Sequence, residues 1–296
     1  MTADLIQISY SDLSAFHQCP RRYYYEKRLR MGALPNVRPS AVKRGTLMHT
    51  LLEGARDGCI DERQARALFA REQLSDKSQQ DAILQAAQRV LASEVYAQIS
   101  AGCDLRRERQ FYLPLRSTAP QPSTGASAPS RQGKKQRSRD AAIQASEPTR
   151  YLKGFIDIQS TRDDGSLLIL DYKSGTRADA SATDYEDQAR CYALVGLADG
   201  HDSVTVCFIR PEVDVPEEPS VPSESASASA SPASGAPQVF TLGPYTRKDY
   251  ASIEASLVAA IHAMEQTGPD SPCAGDIIAC ANCPLPPSAC PRRSAE

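Results

Sequence analysis

The run Leu168-Ile169-Leu170 passes without a polar residue into Asp171-Tyr172-Lys173-Ser174-Gly175. A strand that is apolar at consecutive positions has no solvent face, so it must sit centrally and be covered on both sides. Asp171 and Lys173 are two apart and project from that strand in the same direction. An acid and a base emerging together from a buried strand are costly unless they pair or hold a cation. Upstream, Gly154-Phe155-Ile156-Asp157 lies in a strand expected over Tyr151 to Thr161. Arg162-Asp163-Asp164-Gly165 then has the chemistry of a hairpin turn leading into the strand Ser166 to Tyr172. Two carboxylates on adjacent strands can hold Mg²⁺ through hard oxygen ligands. A lysine beside them can orient an attacking water, while the ion stabilises charge developing on a phosphate. The same residues also fit a plain salt bridge on a hairpin.

The rest of the chain supplies the cover. Ser9 to about Leu29 opens with Ser11 and Ser14 as candidate helix caps. Arg44 to Ala55 predicts a helix with Leu47, Leu51 and Leu52 on one side, and Asp61 to Ile99 predicts one or two amphipathic helices. Glu108 to Leu115, Ser203 to Ile209 and Val239 to Leu242 read as strands, and Thr183 to Ala198 and Arg247 to Thr267 as helices. The expected fold is α/β, a small central mixed sheet flanked by helices in one domain over residues 1–296.

Two stretches depart from this texture. Residues 117–150 are rich in Ser, Ala, Pro and Gln, with six basic and two acidic residues. Residues 213–237 carry four acidic and no basic residues around an alternating Ser/Ala run. Neither can bury enough apolar surface to offset its ordering entropy, so both are expected to be disordered insertions, one basic and one acidic. Their charges cancel. The net charge of −2 excludes a globally basic nucleic-acid binder and leaves room for a local basic patch. No run of eighteen apolar residues is present, so no membrane helix and no membrane partner are expected. The first residues lack a basic region followed by an apolar stretch, which predicts a cytoplasmic protein. There the nine cysteines stay reduced and are buried, catalytic or metal-bound. Cys280, Cys283 and Cys290 cluster in residues 273–291, and Cys19 lies near the other end. Four thiolates can hold a [4Fe-4S] cluster or a zinc ion. Cys59, Cys103, Cys191 and Cys207 read as packing residues.

Further signals are weak singly. Gly45-Thr46-Leu47-Met48-His49 puts a histidine on a leucine-rich helix. Gln188 and Tyr192, four apart, share a helix face, where they could meet a substrate or sit at a polar rim. Glu108 opens a strand. Taken in order, Gly-x-x-x-His, Gly-x-x-Asp, Asp-x-Lys and Gln-x-x-x-Tyr resemble the RecB-like branch of the PD-(D/E)XK nuclease superfamily. The opening Ser9-Tyr10-Ser11-Asp12-Leu13 and the run Cys19-Pro20-Arg21-Arg22-Tyr23 are similar to that branch as well.

The resemblance implies a restriction-endonuclease-like core. It implies His49, Asp157, Asp171 and the carbonyl of Tyr172 as ligands of Mg²⁺ or Mn²⁺, with Lys173 as the catalytic lysine. Gln188 and Tyr192 are its supporting pair, and Glu108 is a less certain member of the site. It further implies a [4Fe-4S] cluster on Cys19, Cys280, Cys283 and Cys290, tying the two ends of the chain together. The interval between Cys283 and Cys290 is one residue longer than usual there, which makes Cys273 a substitute ligand and zinc the alternative metal.

The expected activity is a DNA nuclease, an exonuclease of repair or recombination. A CRISPR-associated exonuclease of spacer acquisition has the same layout. Residues 17–30 interleave basic side chains with Tyr23, Tyr24 and Tyr25, a pattern that fits either DNA binding or a helix whose tyrosines enter the core. No phosphate-binding loop occurs, so a separate helicase is the expected partner. A DNA-end-binding subunit without cleavage, and a zinc-stapled structural protein, are the rival roles.

Overall fold

A computed structural model describes residues 6–31, 40–116, 150–173, 180–211, 237–273, 283, 285–286 and 289–290. The two expected insertions lie outside the described residues, apart from Arg150 and Pro237. The strands are β1 (Ile6–Ser9), β2 (Cys103–Leu115), β3 (Arg150–Thr161), β4 (Leu167–Tyr172), β5 (Ser203–Arg210) and β6 (Gln238–Thr246). The helices are α1 (Tyr10–Gln18), α2 (Pro20–Tyr23), α3 (Ser40–Gly54), α4 (Glu62–Arg71), α5 (Lys77–Leu91), α6 (Glu94–Ala101), α7 (Glu186–Ala198) and α8 (Arg247–Glu265). A π-helical turn, Tyr24–Arg28, follows α2, and a 3-10 turn, Ala182–Tyr185, precedes α7. Among the described residues no helix is long and apolar enough to cross a membrane.

The six strands form one mixed sheet in the order β1-β3-β4-β5-β6, with β2 antiparallel along the other edge of β3. The β4 strand is buried at every position, as its unbroken apolar run requires. Leu167 and Ile169 pack with α1, α7 and α8 on one face of the sheet. Leu168, Leu170 and Tyr172 pack with α3 to α6 on the other. Burying each such large side chain is worth about 1.5–3 kcal/mol, so the two faces together fix the sheet between its helical layers.

Local chemistry sets the boundaries. The α1 helix starts at Ser9, not at Ser11 or Ser14. Ser9 Oγ accepts from Asp12 N, and Asp12 Oδ2 accepts from Ser9 N at 3.0 Å, a reciprocal capping box. Asp61, Asp76 and Ser93 cap α4, α5 and α6, so the region expected as one or two helices is three. The β1 strand was absent from the sequence expectation because four residues give too short a pattern to separate from the following helix. Arg150, placed in the basic insertion by sequence, is instead the buried first residue of β3. It pairs with Glu265 through two bonds of 2.9 and 3.0 Å, a partner that composition alone does not reveal. Cys191 and Cys207 are buried as expected of packing residues, whereas Cys59 and Cys103 are exposed. Cys59 sits in a tight turn bridged to Arg56, and Cys103 at the outer end of β2, where no layer of the described residues covers them.

Gly154, the glycine of Gly-x-x-Asp, has a packing duty. A Cβ there would stand 2.7 Å from Phe111 Cζ, a core residue of the neighbouring strand. Gly154→Ala is therefore expected to cost about 1–3 kcal/mol by overpacking. Urea denaturation would read this as a lower midpoint with an unchanged slope, and an unchanged midpoint would mean that Phe111 can swing away.

Candidate active site

The site forms where the sheet opens. On one edge of β3, the ladder to β4 runs from Thr161↔Leu167 to Ile158↔Leu170. On the same edge, β1 pairs with residues 150–153. Residues 154–157 lie between these two partners and, among the described residues, have no strand beside them on that edge. Side chains take over the backbone bonding there. Asp157 Oδ2 accepts from Tyr172 N at 2.7 Å. The Tyr192 hydroxyl lies 2.9 Å from the carbonyl of Phe155. The alternation of faces also breaks at this point, since Ile156 packs on the α7 side and Ile158 on the α3–α6 side.

Glu108 sits across from Asp157, because Arg107 pairs with Ile158 and Arg109 with Ile156. Its φ is +45°, a left-handed backbone that a glutamate adopts only when its surroundings hold it there. The kink turns the glutamate inward. Nitrogen or oxygen atoms of His49, Glu108 and Asp157 come within 4.8 Å of one another. Sequence reading ranked Glu108 below the others. The available signal was a single acid among Arg106, Arg107 and Arg109 on a strand paired with the Gly-x-x-Asp strand.

His49 reaches in from α3. Its Nε2 lies 2.9 Å from the Tyr172 carbonyl and its Nδ1 lies 3.4 Å from Asp157 Oδ2. A carbonyl only accepts, so Nε2 carries the proton and Nδ1 offers a lone pair in the neutral ring. Burial lowers the His49 pKa against the pull of Asp171, which keeps the ring neutral near neutral pH. Burial pushes Asp157 up to about 9, with the nearby Asp171 charge adding to it. Burial and neighbouring acids, Glu53 first, also raise Glu108.

Asp171 stands just outside that trio and is held differently. Its Oδ2 accepts from Gln188 Nε2 at 2.9 Å and lies 2.8 Å from the Tyr192 hydroxyl. Its Oδ1 lies 2.6 Å from Lys173 Nζ, but without the alignment of a hydrogen bond. Lys173 Nζ instead donates to Gln188 Oε1 at 2.7 Å. Burial is the largest single influence on Lys173 and lowers its pKa, yet Asp171, Asp157 and Tyr10 together outweigh it and the net shift is upward. Lys173 is thus an ammonium, suited to positioning and charge stabilisation rather than to taking a proton. Burial and Asp171 raise Tyr192 well above its ordinary value, so it stays a phenol and a donor. Gln188 and Tyr192 are both buried, so this pair faces Asp171 and not a polar rim.

The sequence model of the PD-(D/E)XK nuclease superfamily matches residues 7–291. The chain belongs to that superfamily. A solved structure described as "Crystal structure of SSO0001" aligns at 14% identity and a TM-score of 0.44, over 99% of this chain and 89% of that one. No curated protein matches. Membership makes the chain a nuclease that hydrolyses phosphodiester bonds with a divalent metal. The residues present fit such an ion. The nuclease offers two carboxylates, a neutral imidazole nitrogen, and a buried Asp171 oxygen with no aligned donor.

The four expected cluster cysteines are only partly described, since Cys280 lies outside the described residues. Cys290 is buried, and its sulfur lies 3.6 Å from that of Cys273, the residue held in reserve as a substitute. Cys19 caps α2, accepting from Arg22 N at 3.4 Å, and lies within electrostatic range of Cys273. The basic residues of this region tie the two ends of the nuclease together. Arg21 donates to the Ser271 carbonyl at 2.8 Å, and Arg28 to the carbonyls of Glu265 and Thr267 at 2.8 Å each. Arg22 and Lys27 face Glu26 and Asp12, and Tyr23 is buried in the core. The core reading holds for Tyr23, whereas Tyr24 and Tyr25 are only half-buried and Lys27, Arg28 and Arg30 are exposed.

Proposed function

We propose that this nuclease is a DNA exonuclease of repair or recombination, with its reaction centre at the open edge of β3. The observation that carries the reading is the convergence of His49, Glu108 and Asp157 beside the Asp171–Lys173 pair. His49, Asp157 and Asp171 would hold Mg²⁺ or Mn²⁺, Glu108 would join them, and the Tyr172 carbonyl keeps a second lone pair for the ion. When bound, the ion supplies Lewis acidity and charge neutralisation at the scissile phosphate. Lys173 holds the attacking water and faces the charge that develops on the phosphate oxygens. Gln188 and Tyr192 fix the rotamer of Asp171 and keep its carboxylate aimed at the opening.

The exonuclease assignment rests on the ordered motif set and its RecB-like resemblance. A separate helicase partner fits the lack of a phosphate-binding loop. A [4Fe-4S] cluster on Cys19, Cys280, Cys283 and Cys290 fits the cysteine spacing, with Cys273 beside Cys290 as a fifth thiol and zinc as the other candidate metal. Its role would be that of a staple, contributing folding free energy. The cytoplasm is the compartment in which such thiols persist.

The test is made on anaerobically purified protein. End-labelled DNA is incubated with Mg²⁺, Mn²⁺ or EDTA, and iron, sulfide and zinc are assayed on the same sample. Degradation from the labelled end only with added metal, by a brown iron-containing protein, is the expected result. Binding of DNA ends with no product in any metal would overturn the exonuclease reading. One equivalent of zinc with no iron would replace the cluster by a zinc staple.

A further inference from the structure

The face of the sheet next to the reaction centre carries two exposed aromatic rings that join neither core among the described residues. Phe155 is 54% exposed and Tyr112 is 55% exposed. Phe155 is two residues before Asp157 on β3, and Tyr112 is four residues after Glu108 on β2. Register places Gln110 opposite Phe155 and Lys153 opposite Tyr112. The intervening residues Phe111, Leu152, Gly154 and Ile156 face the α7 side, so these four side chains share the opposite, open face. Two paired tracks thus lead away from the acids, Asp157–Phe155–Lys153 on one strand and Glu108–Gln110–Tyr112 on the other.

The tracks are anchored. The Phe155 carbonyl is tied to Tyr192, which also holds Asp171, so the ring is fixed relative to the reaction centre. Gln110 Nε2 donates to the Tyr112 hydroxyl at 2.7 Å, and Lys153 Nζ donates to Gln7 Oε1 at 3.2 Å. Exposed aromatic rings in the core of a sheet face are unfavourable unless something covers them. Flat rings beside a cation, continuous with a site that takes phosphodiesters, match the chemistry of an unpaired nucleic-acid strand. Its bases present π-faces and its backbone presents phosphates for Lys153. A duplex keeps its base faces stacked on one another and offers no such surface.

We infer that Phe155 and Tyr112 form a base-stacking platform that seats an unpaired DNA strand next to the reaction centre and gives the nuclease a preference for single-stranded ends. The inference rests on the nuclease reading for its location, and its test separates the two. Binding of fluorescein-labelled oligo(dT) and of a blunt duplex of equal length is measured by anisotropy in EDTA, where no hydrolysis runs. The wild type is expected to bind oligo(dT) more tightly than the duplex. Phe155→Ala and Tyr112→Ala are each expected to weaken oligo(dT) binding about tenfold, with little change for the duplex.

The chain contains no tryptophan, so Phe155→Trp gives a lone reporter. It is expected to keep wild-type affinity and to lose fluorescence as oligo(dT) stacks on it. In Mg²⁺ the alanine variants should raise KM for single-stranded substrate while preserving kcat. Unchanged oligo(dT) affinity in both alanine variants, or equal loss on both substrates, would overturn the platform. Failure of the wild type to cut any DNA would overturn the nuclease reading alone, because the binding result stands without it.

Discussion

Asp157→Asn is expected to remove metal-dependent cleavage by a factor of about a thousand or more and yet to stabilise the metal-free protein at alkaline pH. The reason is the position of the carboxyl. In the folded chain burial and Asp171 raise its pKa to about 9, whereas in the unfolded chain it titrates near the ordinary carboxylate value. The folded state therefore keeps a proton that the unfolded state has released. Stability from this group is complete below the unfolded pKa and is lost as pH rises through the folded one. Over that window the loss approaches about 1.4 kcal/mol per pH unit.

Asparagine carries no charge to bury, and its oxygen still accepts from Tyr172 N, so the fold keeps the bond that replaces the missing ladder. Thermal melts in EDTA between pH 6 and pH 8.5 check this. The wild-type melting temperature should fall with pH and the variant's should not. Added Mg²⁺ should raise the wild type more at the alkaline end, since binding there displaces less proton. A wild-type curve flat with pH would mean that Asp157 is already ionised in the absence of metal.

Lys173→Met is the second large effect. Methionine keeps the stem against the rings of Phe208 and Tyr185 and removes the ammonium, which lies 5.3 and 6.0 Å from their centres. The value of kcat is expected to fall roughly 10²–10³-fold, the usual loss for one donor to a developing oxyanion. Stability should fall by less than the roughly 3–5 kcal/mol of a broken buried pair. Gln188 continues to bond Asp171, and the Tyr192 hydroxyl stays beside it. Combining it with Asp171→Asn separates chemistry from packing. If the pair is reactive, the double variant regains stability and stays inactive. If it is a plain salt bridge, the double variant regains activity with stability. Retained cleavage in both single variants would remove this site from consideration.

The motifs were legible because each is local. The apolar run into Asp171, the hairpin turn at Gly165 and the two-residue step to Lys173 are properties of adjacent residues, and they suffice to place a buried strand with an acid and a base at its end. Helix positions followed from period, and their true starts from caps at Ser9, Asp61, Asp76 and Ser93 that compete with nearby serines of equal chemistry. Arg150 was misread because its partner Glu265 is more than a hundred residues away, and composition counts a buried paired arginine like a solvated one.

What the chain's order of residues determined was the inventory: which acids, which lysine, which histidine, and the α/β pattern that carries them. Tertiary structure alone decided how they meet. It divided the edge of β3 between β1 and β4, and so left a gap where side chains replace backbone partners. It forced Glu108 into a left-handed backbone that brings it to His49 and Asp157, and it turned Gln188 and Tyr192 toward Asp171 instead of a surface rim. Strand pairing joins residues that are far apart in sequence, and the cost of leaving a buried amide or carboxylate without a partner is settled only when all of those strands are in place.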